Sequence, residues 1–240
     1  MNLHIERLGK GQPLVFFHGW GFDHRVWLKL AGELENRYQL YLVDLPGFGH
    51  SSLMDWGLFK EKLLIELPAF FALAGWSLGG LLAMRLAIEE SVRVTHLISI
   101  SSTPCFIKKS GWPGVDEIVF ANILLNLVRD PQNFIAQFIK LQLQGEAYES
   151  FQDNYQPSLS GLEAGLDILA KWDLRELLKG FTKPACFVFG RLDAITPRAT
   201  QSVMQKYFPN FDYVLFDKAA HMPFLSHQEQ FITCLDGFFL

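Results

Sequence analysis

The stretch Phe70-Phe71-Ala72-Leu73-Ala74-Gly75-Trp76-Ser77-Leu78-Gly79-Gly80 decides the reading of this chain. Residues 70–73 form a short apolar run of the kind that makes a buried strand, and residues 78–90 carry a helical pattern. Between them lies G-x-S-x-G. Glycines permit so sharp a strand-to-helix turn because side chains there would collide, and the turn lifts a serine Oγ into a cleft. The helix behind it aims its N-terminal amides at any anion formed there. Ser77 is the candidate nucleophile.

The same alternation extends outward in both directions. Residues 14–17, 40–43, 96–100, 185–189 and 213–216 read as further buried strands, and residues 197–207 as a helix. Continuous apolar strands separated by helices indicate an α/β fold, a mostly parallel sheet covered on both faces. Between residues 105 and 171 the strands stop, and helical patterns run over 115–128, 131–144 and 159–170. This predicts a helical cap (105–171) inserted into a single domain made of residues 1–104 and 172–240. Ligands of open α/β sheets bind at the carboxyl ends of the strands, where such a cap would lie.

Composition narrows the function classes. The chain has 240 residues, half of them hydrophobic, enough for one sizeable core. With 21 Lys+Arg against 25 Asp+Glu, a net −4, no bulk charge draws it to nucleic acid or to an anionic membrane. Apolar stretches break well before the roughly 20 residues of a membrane span. The N-terminus, Met1-Asn2-Leu3-His4-Ile5-Glu6-Arg7, has neither a cationic n-region nor an apolar h-region, so export is not expected. Cys105, Cys186 and Cys234 are far apart, which fits reduced thiols in a cytoplasmic protein. No His/Cys/Glu cluster has metal spacing, and neither a metal nor another cofactor is expected. The glycines of Asp44-Leu45-Pro46-Gly47-Phe48-Gly49 lack the G-K-[ST] end of a phosphate loop and read as a tight loop at a strand end.

A serine hydroxyl needs a base, and the base needs an acid to orient it. In this fold type the chain order is Ser, acid, His, each after a strand. Of the late histidines, His221 lies in a loop after residues 213–216, whereas His227 sits where the next helix should begin. Asp193 follows the strand 185–189 and is the candidate acid, with Asp217 as competitor on the strand side of the His221 loop. Two backbone N–H groups must hold the oxyanion: that of Leu78, after the nucleophile, and that of Trp20 in His18-Gly19-Trp20-Gly21. His18 precedes the serine and is assigned to holding its loop.

With these motifs in place the chain resembles the α/β-hydrolase fold, and within it the pimeloyl-[acyl-carrier protein] methyl ester esterases of biotin synthesis. The matching text includes HGWG (18–21), VDLPGFGHS (43–51), GWSLGG (75–80), SSTPCF (101–106), GLDILAKWDLR (165–175) and DKAAHMPFLSH (217–227). The resemblance implies a carboxylesterase with Ser77, Asp193 and His221 as triad and Trp20 and Leu78 as oxyanion donors. It also implies that Phe138, Ile139, Lys140, Leu141 and Gln142 line an acyl pocket, that Trp76 packs along the acyl chain, and that an acyl-carrier protein is the partner. Residues 116–170 hold eight acids (Asp116, Glu117, Asp130, Glu146, Glu149, Asp153, Glu163, Asp167) against Arg129 and Lys140, net −6, leaving +2 elsewhere. Either an acidic carrier docks through Lys108, Lys109, Arg129 and Lys140 alone, or recognition differs here. Alternatives are a broad short-chain carboxylesterase, a lyase or C–C bond hydrolase, and a ligand-binding protein of the same fold with little turnover. The lyase reading calls for several arginines, against one in the cap.

Overall fold

A computed structural model of the chain describes residues 1–143 and 157–239. Seven strands form one sheet: β1 (Ile5–Leu8), β2 (Gln12–Phe17), β3 (Tyr38–Val43), β4 (Phe71–Trp76), β5 (Val94–Ile100), β6 (Ala185–Gly190) and β7 (Asp212–Phe216). Their spatial order is β1-β3-β2-β4-β5-β6-β7. Only β1 runs antiparallel, against β3; every other pairing is parallel. Strand order reverses between β2 and β4, so the crevice beyond their carboxyl ends is the natural ligand site. β4 is buried along its whole length. It begins at Phe71 rather than Phe70, whose ring is exposed in the preceding turn, and runs on to Trp76, directly against the serine.

Helices cover both faces. They are α1 (Leu28–Leu34), α2 (Trp56–Glu66), α3 (Leu78–Glu89), α4 (Glu117–Arg129), α5 (Pro131–Leu143), α6 (Leu159–Lys171), α7 (Arg175–Leu178), α8 (Arg198–Tyr207), α9 (Pro223–Ser226) and α10 (Gln228–Phe239). The period of two along β4 sorts its side chains between two cores. Phe71 and Leu73 pack with Leu81, Leu82 and Phe59 on the side of α3 and α2. Ala72, Ala74 and Trp76 pack with Trp27, Phe224 and Phe231 on the side of α1, α9 and α10.

Of the described helices between β5 and β6, α4, α5 and α6 lie in the segment 105–171 and α7 follows it. α4 starts at Glu117, not at 115, because Val115 is taken by a bridge to Ile107. α6 begins behind Ser158, whose Oγ accepts the Gly161 N–H at 3.1 Å. α4 packs on α5 and α6, and α6 packs on α3. Gln144 and three of the expected cap acids, Glu146, Glu149 and Asp153, lie outside the described residues. No helix among the described residues is long and apolar enough to cross a membrane.

Candidate active site

Ser77 adopts φ 53° and ψ −117°, a conformation costly for a residue with a Cβ. Its surroundings enforce it. A Cβ on Gly79 would stand 2.4 Å from the carbonyl oxygens of both Phe17 and His18, so α3 can approach β2 this closely only with glycine there. The Ser102 hydroxyl donates to the Ser77 carbonyl at 2.7 Å, and the Ser77 N–H donates to the Ile100 carbonyl at 2.9 Å. The elbow is thus held by bonds to the end of β5.

The β6 and β7 loops bring the other two residues together. Asp193 Oδ2 lies 2.7 Å from His221 Nδ1, and both residues are buried. Asp193 Oδ1 accepts the N–H groups of Ile195 and Thr196 at 2.8 and 2.9 Å, which fixes the carboxylate and leaves its other oxygen for the imidazole. Thr196 in turn donates its hydroxyl to the Ser101 carbonyl at 3.0 Å, tying this loop to the strand end beside the elbow. His221 Nε2 is buried with no partner among the described residues. The competitor Asp217 is exposed and pairs with Arg191 at 2.6 Å, away from the imidazole. His227 sits between α9 and α10, its Nδ1 2.8 Å from the Ser226 hydroxyl.

Leu78 opens α3, so its N–H has no carbonyl inside the helix to meet. The Trp20 N–H lies in a loop closed by the Phe22 N–H to Gly19 carbonyl bond. His18 holds that loop from beneath: its Nδ1 is 2.8 Å from the Gly19 carbonyl, and its Nε2 accepts the Leu45 N–H at 2.9 Å. Such bonding needs a neutral ring, and burial pushes its pKa down.

Above Ser77 opens a cavity of about 520 Å³. Among the described residues its wall includes Trp20, Phe106, Phe120, Phe138, Leu141 and Ile195, with Ser77 and Gln137 as polar side chains and no charged one. The Trp20 indole N–H donates to the Leu162 carbonyl at 2.8 Å and its ring meets Phe138 edge-on at 5.2 Å, joining the loop to α6 and α5.

Of the five residues expected along α5, only Phe138 and Leu141 reach the cavity. Helical geometry separates the rest: Ile139 packs toward the other core, Lys140 points to solvent, and buried Gln142 donates back to the Phe138 carbonyl at 3.3 Å. Trp76 is likewise not in the cavity. The strand period turns it under the sheet, against Phe22 and Phe224, where its indole N–H donates to the His221 carbonyl at 2.8 Å. Trp76 is buried and supports the His221 loop rather than lining this cavity. Residues from 106 to 123 that line the cavity, Phe106, Val115, Val119, Phe120 and Ile123, were not singled out in the sequence. The spacing of Val119, Phe120 and Ile123 on one helical face was their signal.

The profile of the alpha/beta hydrolase family matches residues 14–233. The chain belongs to this family. A Legionella pneumophila (strain Paris) protein named pimeloyl-[acyl-carrier protein] methyl ester esterase is 53% identical over 238 residues, covering 99% of each chain. An Aeromonas hydrophila protein of the same name is 37% identical over 252 residues, again 99% of each. Among solved structures, an esterase from Exiguobacterium antarcticum superposes on this alpha/beta hydrolase with a TM-score of 0.90 at 22% identity, covering 98% of this chain and 94% of that one.

Proposed function

We propose that this chain is a serine carboxylesterase that hydrolyses the methyl ester of pimeloyl-[acyl-carrier protein], a step of biotin synthesis, with Ser77, His221 and Asp193 as its triad. Ser77 Oγ attacks the ester carbonyl while His221 Nε2 takes its proton, and the Leu78 and Trp20 amides hold the oxyanion. The imidazolium, steadied by Asp193, protonates the departing methoxide, and methanol leaves. Water, deprotonated by His221, then cleaves the acyl-enzyme and frees the carboxylate. His221 Nε2, buried and without a partner among the described residues, is left to meet the Ser77 hydroxyl, a bond of the kind that tightens when substrate binds.

The observation that carries this reading is the uncharged cavity directly above Ser77. It suits a methylene chain ending in a neutral methyl ester. Once the methyl group is gone, an ionised carboxylate meets no cationic side chain among the described walls, and burying its charge there is unfavourable. The site therefore accepts the masked acid and expels the free one.

Residues 105–171 would form the cap over this chain, with the carrier outside it. Lys108 is paired with Asp116 and Lys109 with Glu117, so two of the four expected docking cations are partly neutralised. Arg129 and Lys140 are exposed and make no ion pair with a described residue. They are the cations left to meet an acidic carrier, and a carrier-linked substrate fits a cytoplasmic enzyme. The test is incubation with methyl pimeloyl-carrier protein, followed by mass spectrometry of the carrier. Wild type should remove one methylene equivalent of mass and Ser77→Ala should not. Cleavage of p-nitrophenyl esters with the carrier substrate left intact would favour the broad esterase instead.

A further inference from the structure

Three histidines that the reaction does not use come together from distant parts of the chain. His4 precedes β1, His24 opens the helical turn after the Trp20 loop, and His50 lies within the loop between β3 and α2. The His4 ring centroid lies 4.8 Å from that of His24 and 4.9 Å from that of His50. Glu6, two residues from His4, shares its face of the edge strand. One ligand atom from each of His4, Glu6 and His24 lies within 4.8 Å of the other two.

The cluster has the outer support that imidazole ligands require. Asp44 Oδ1 sits 2.8 Å from His24 Nδ1, and the carboxylate also accepts the backbone N–H groups of His24 and His50, each at 2.8 Å. A carboxylate on one ring nitrogen fixes the tautomer and leaves Nε2 as a basic ligand, the arrangement found behind metal-bound histidines. His4 Nε2 is buried and has no partner among the described residues.

We propose that His4, Glu6 and His24 bind a divalent transition-metal ion of the zinc type, with Asp44 orienting His24. Two imidazoles and one carboxylate form a donor set that zinc accepts, leaving a position for water, whereas Ca²⁺ and Mg²⁺ prefer all-oxygen sites. Zinc bonds of about 2.1 Å place neighbouring ligand atoms roughly 3.4 Å apart, so the side chains must draw together by torsional adjustment. Bound metal would tie β1 to the segment just after Trp20 and so brace the loop that carries an oxyanion donor. The proposal stands independently of the substrate assigned above.

Calorimetric titration of chelator-treated full-length protein with Zn²⁺, paired with thermal melts, tests it. The expected result is one saturable site per chain and a raised Tm. His4→Ala and Glu6→Gln should each weaken binding at least tenfold and abolish the Tm rise, while His227→Ala and Cys234→Ser bind as wild type. The absence of saturable binding overturns the proposal. So does wild-type affinity in both His4→Ala and Glu6→Gln, or loss of binding in Cys234→Ser, which would place the ion on thiols.

Discussion

Below the cavity, Ser77, Asp193 and His221 are fixed by directional hydrogen bonds: the Ser77 carbonyl by the Ser102 hydroxyl, Asp193 by two backbone amides, and the His221 carbonyl by the Trp76 indole. Above it, Phe134 and Phe138 lie 6.1 Å apart in a stack and meet Trp20 edge-on, holding the roof by apolar contact. The difference suits what each part would do in the proposed reaction. Proton transfer demands fixed angles and distances, which hydrogen bonds supply. Accommodating a methylene chain demands only shape and the exclusion of charge, which apolar surfaces supply.

Substitutions in the two regions should therefore fail in different ways. Asp193→Asn leaves the packing intact but offers His221 the wrong partner. Turnover should fall on the order of 10⁴-fold with an unchanged melting profile; steady-state kinetics beside a thermal melt check this, and a loss of only a few fold would remove Asp193 from the triad.

The Asp44 loop extends the same directional bonding into stability. Burial alone would raise the Asp44 carboxyl, but the His24 hydrogen bond, the nearby His18 and the amides of His50 and His24 lower its pKa from 3.8 to about 2. A depressed carboxyl stabilises the fold above its unfolded pKa and loses that contribution as pH falls. About 2 kcal/mol should disappear between roughly pH 4 and pH 2. Urea unfolding at stepped pH should show this extra loss in wild type relative to Asp44→Asn, and parallel curves would refute it.

The roof should respond more gently. Phe138→Ala removes a wall of the cavity, and kcat/KM for the pimeloyl substrate should drop by roughly tenfold while p-nitrophenyl acetate hydrolysis stays near wild type. Equal losses on both substrates would mean that Phe138 supports the floor as well. Smallest of all, Arg129→Ala with Lys140→Ala should slow the carrier-linked reaction a few fold at low salt, an effect that fades as salt rises. Kinetics at two ionic strengths with carrier-linked and free esters read it out.

The floor was legible in the sequence because its signals are local. G-x-S-x-G sits between a strand and a helix, and the loops after β6 and β7 hold Asp193 and His221 in the required order. The short edge strand β1 carries Glu6 and Arg7 and gave no apolar run to read. For Trp76 the resemblance implies an acyl contact, whereas the strand period sets its ring beneath the sheet with Ala72 and Ala74. The roof was less legible since any apolar helix face can serve as a wall. The His4–Glu6–His24 cluster could not be read at all, because it exists only once β1 pairs with β3.

The most direct test is an acid quench of the enzyme during turnover of methyl pimeloyl-carrier protein, followed by intact and peptide mass spectrometry. Attack on the methyl ester expels methanol and leaves the whole pimeloyl-carrier protein esterified to Ser77. A covalent conjugate of enzyme and carrier, localised to Ser77, is the predicted result. A methyl pimeloyl group alone on Ser77, with the carrier released as free thiol, would mean that the thioester was cleaved and would contradict the account.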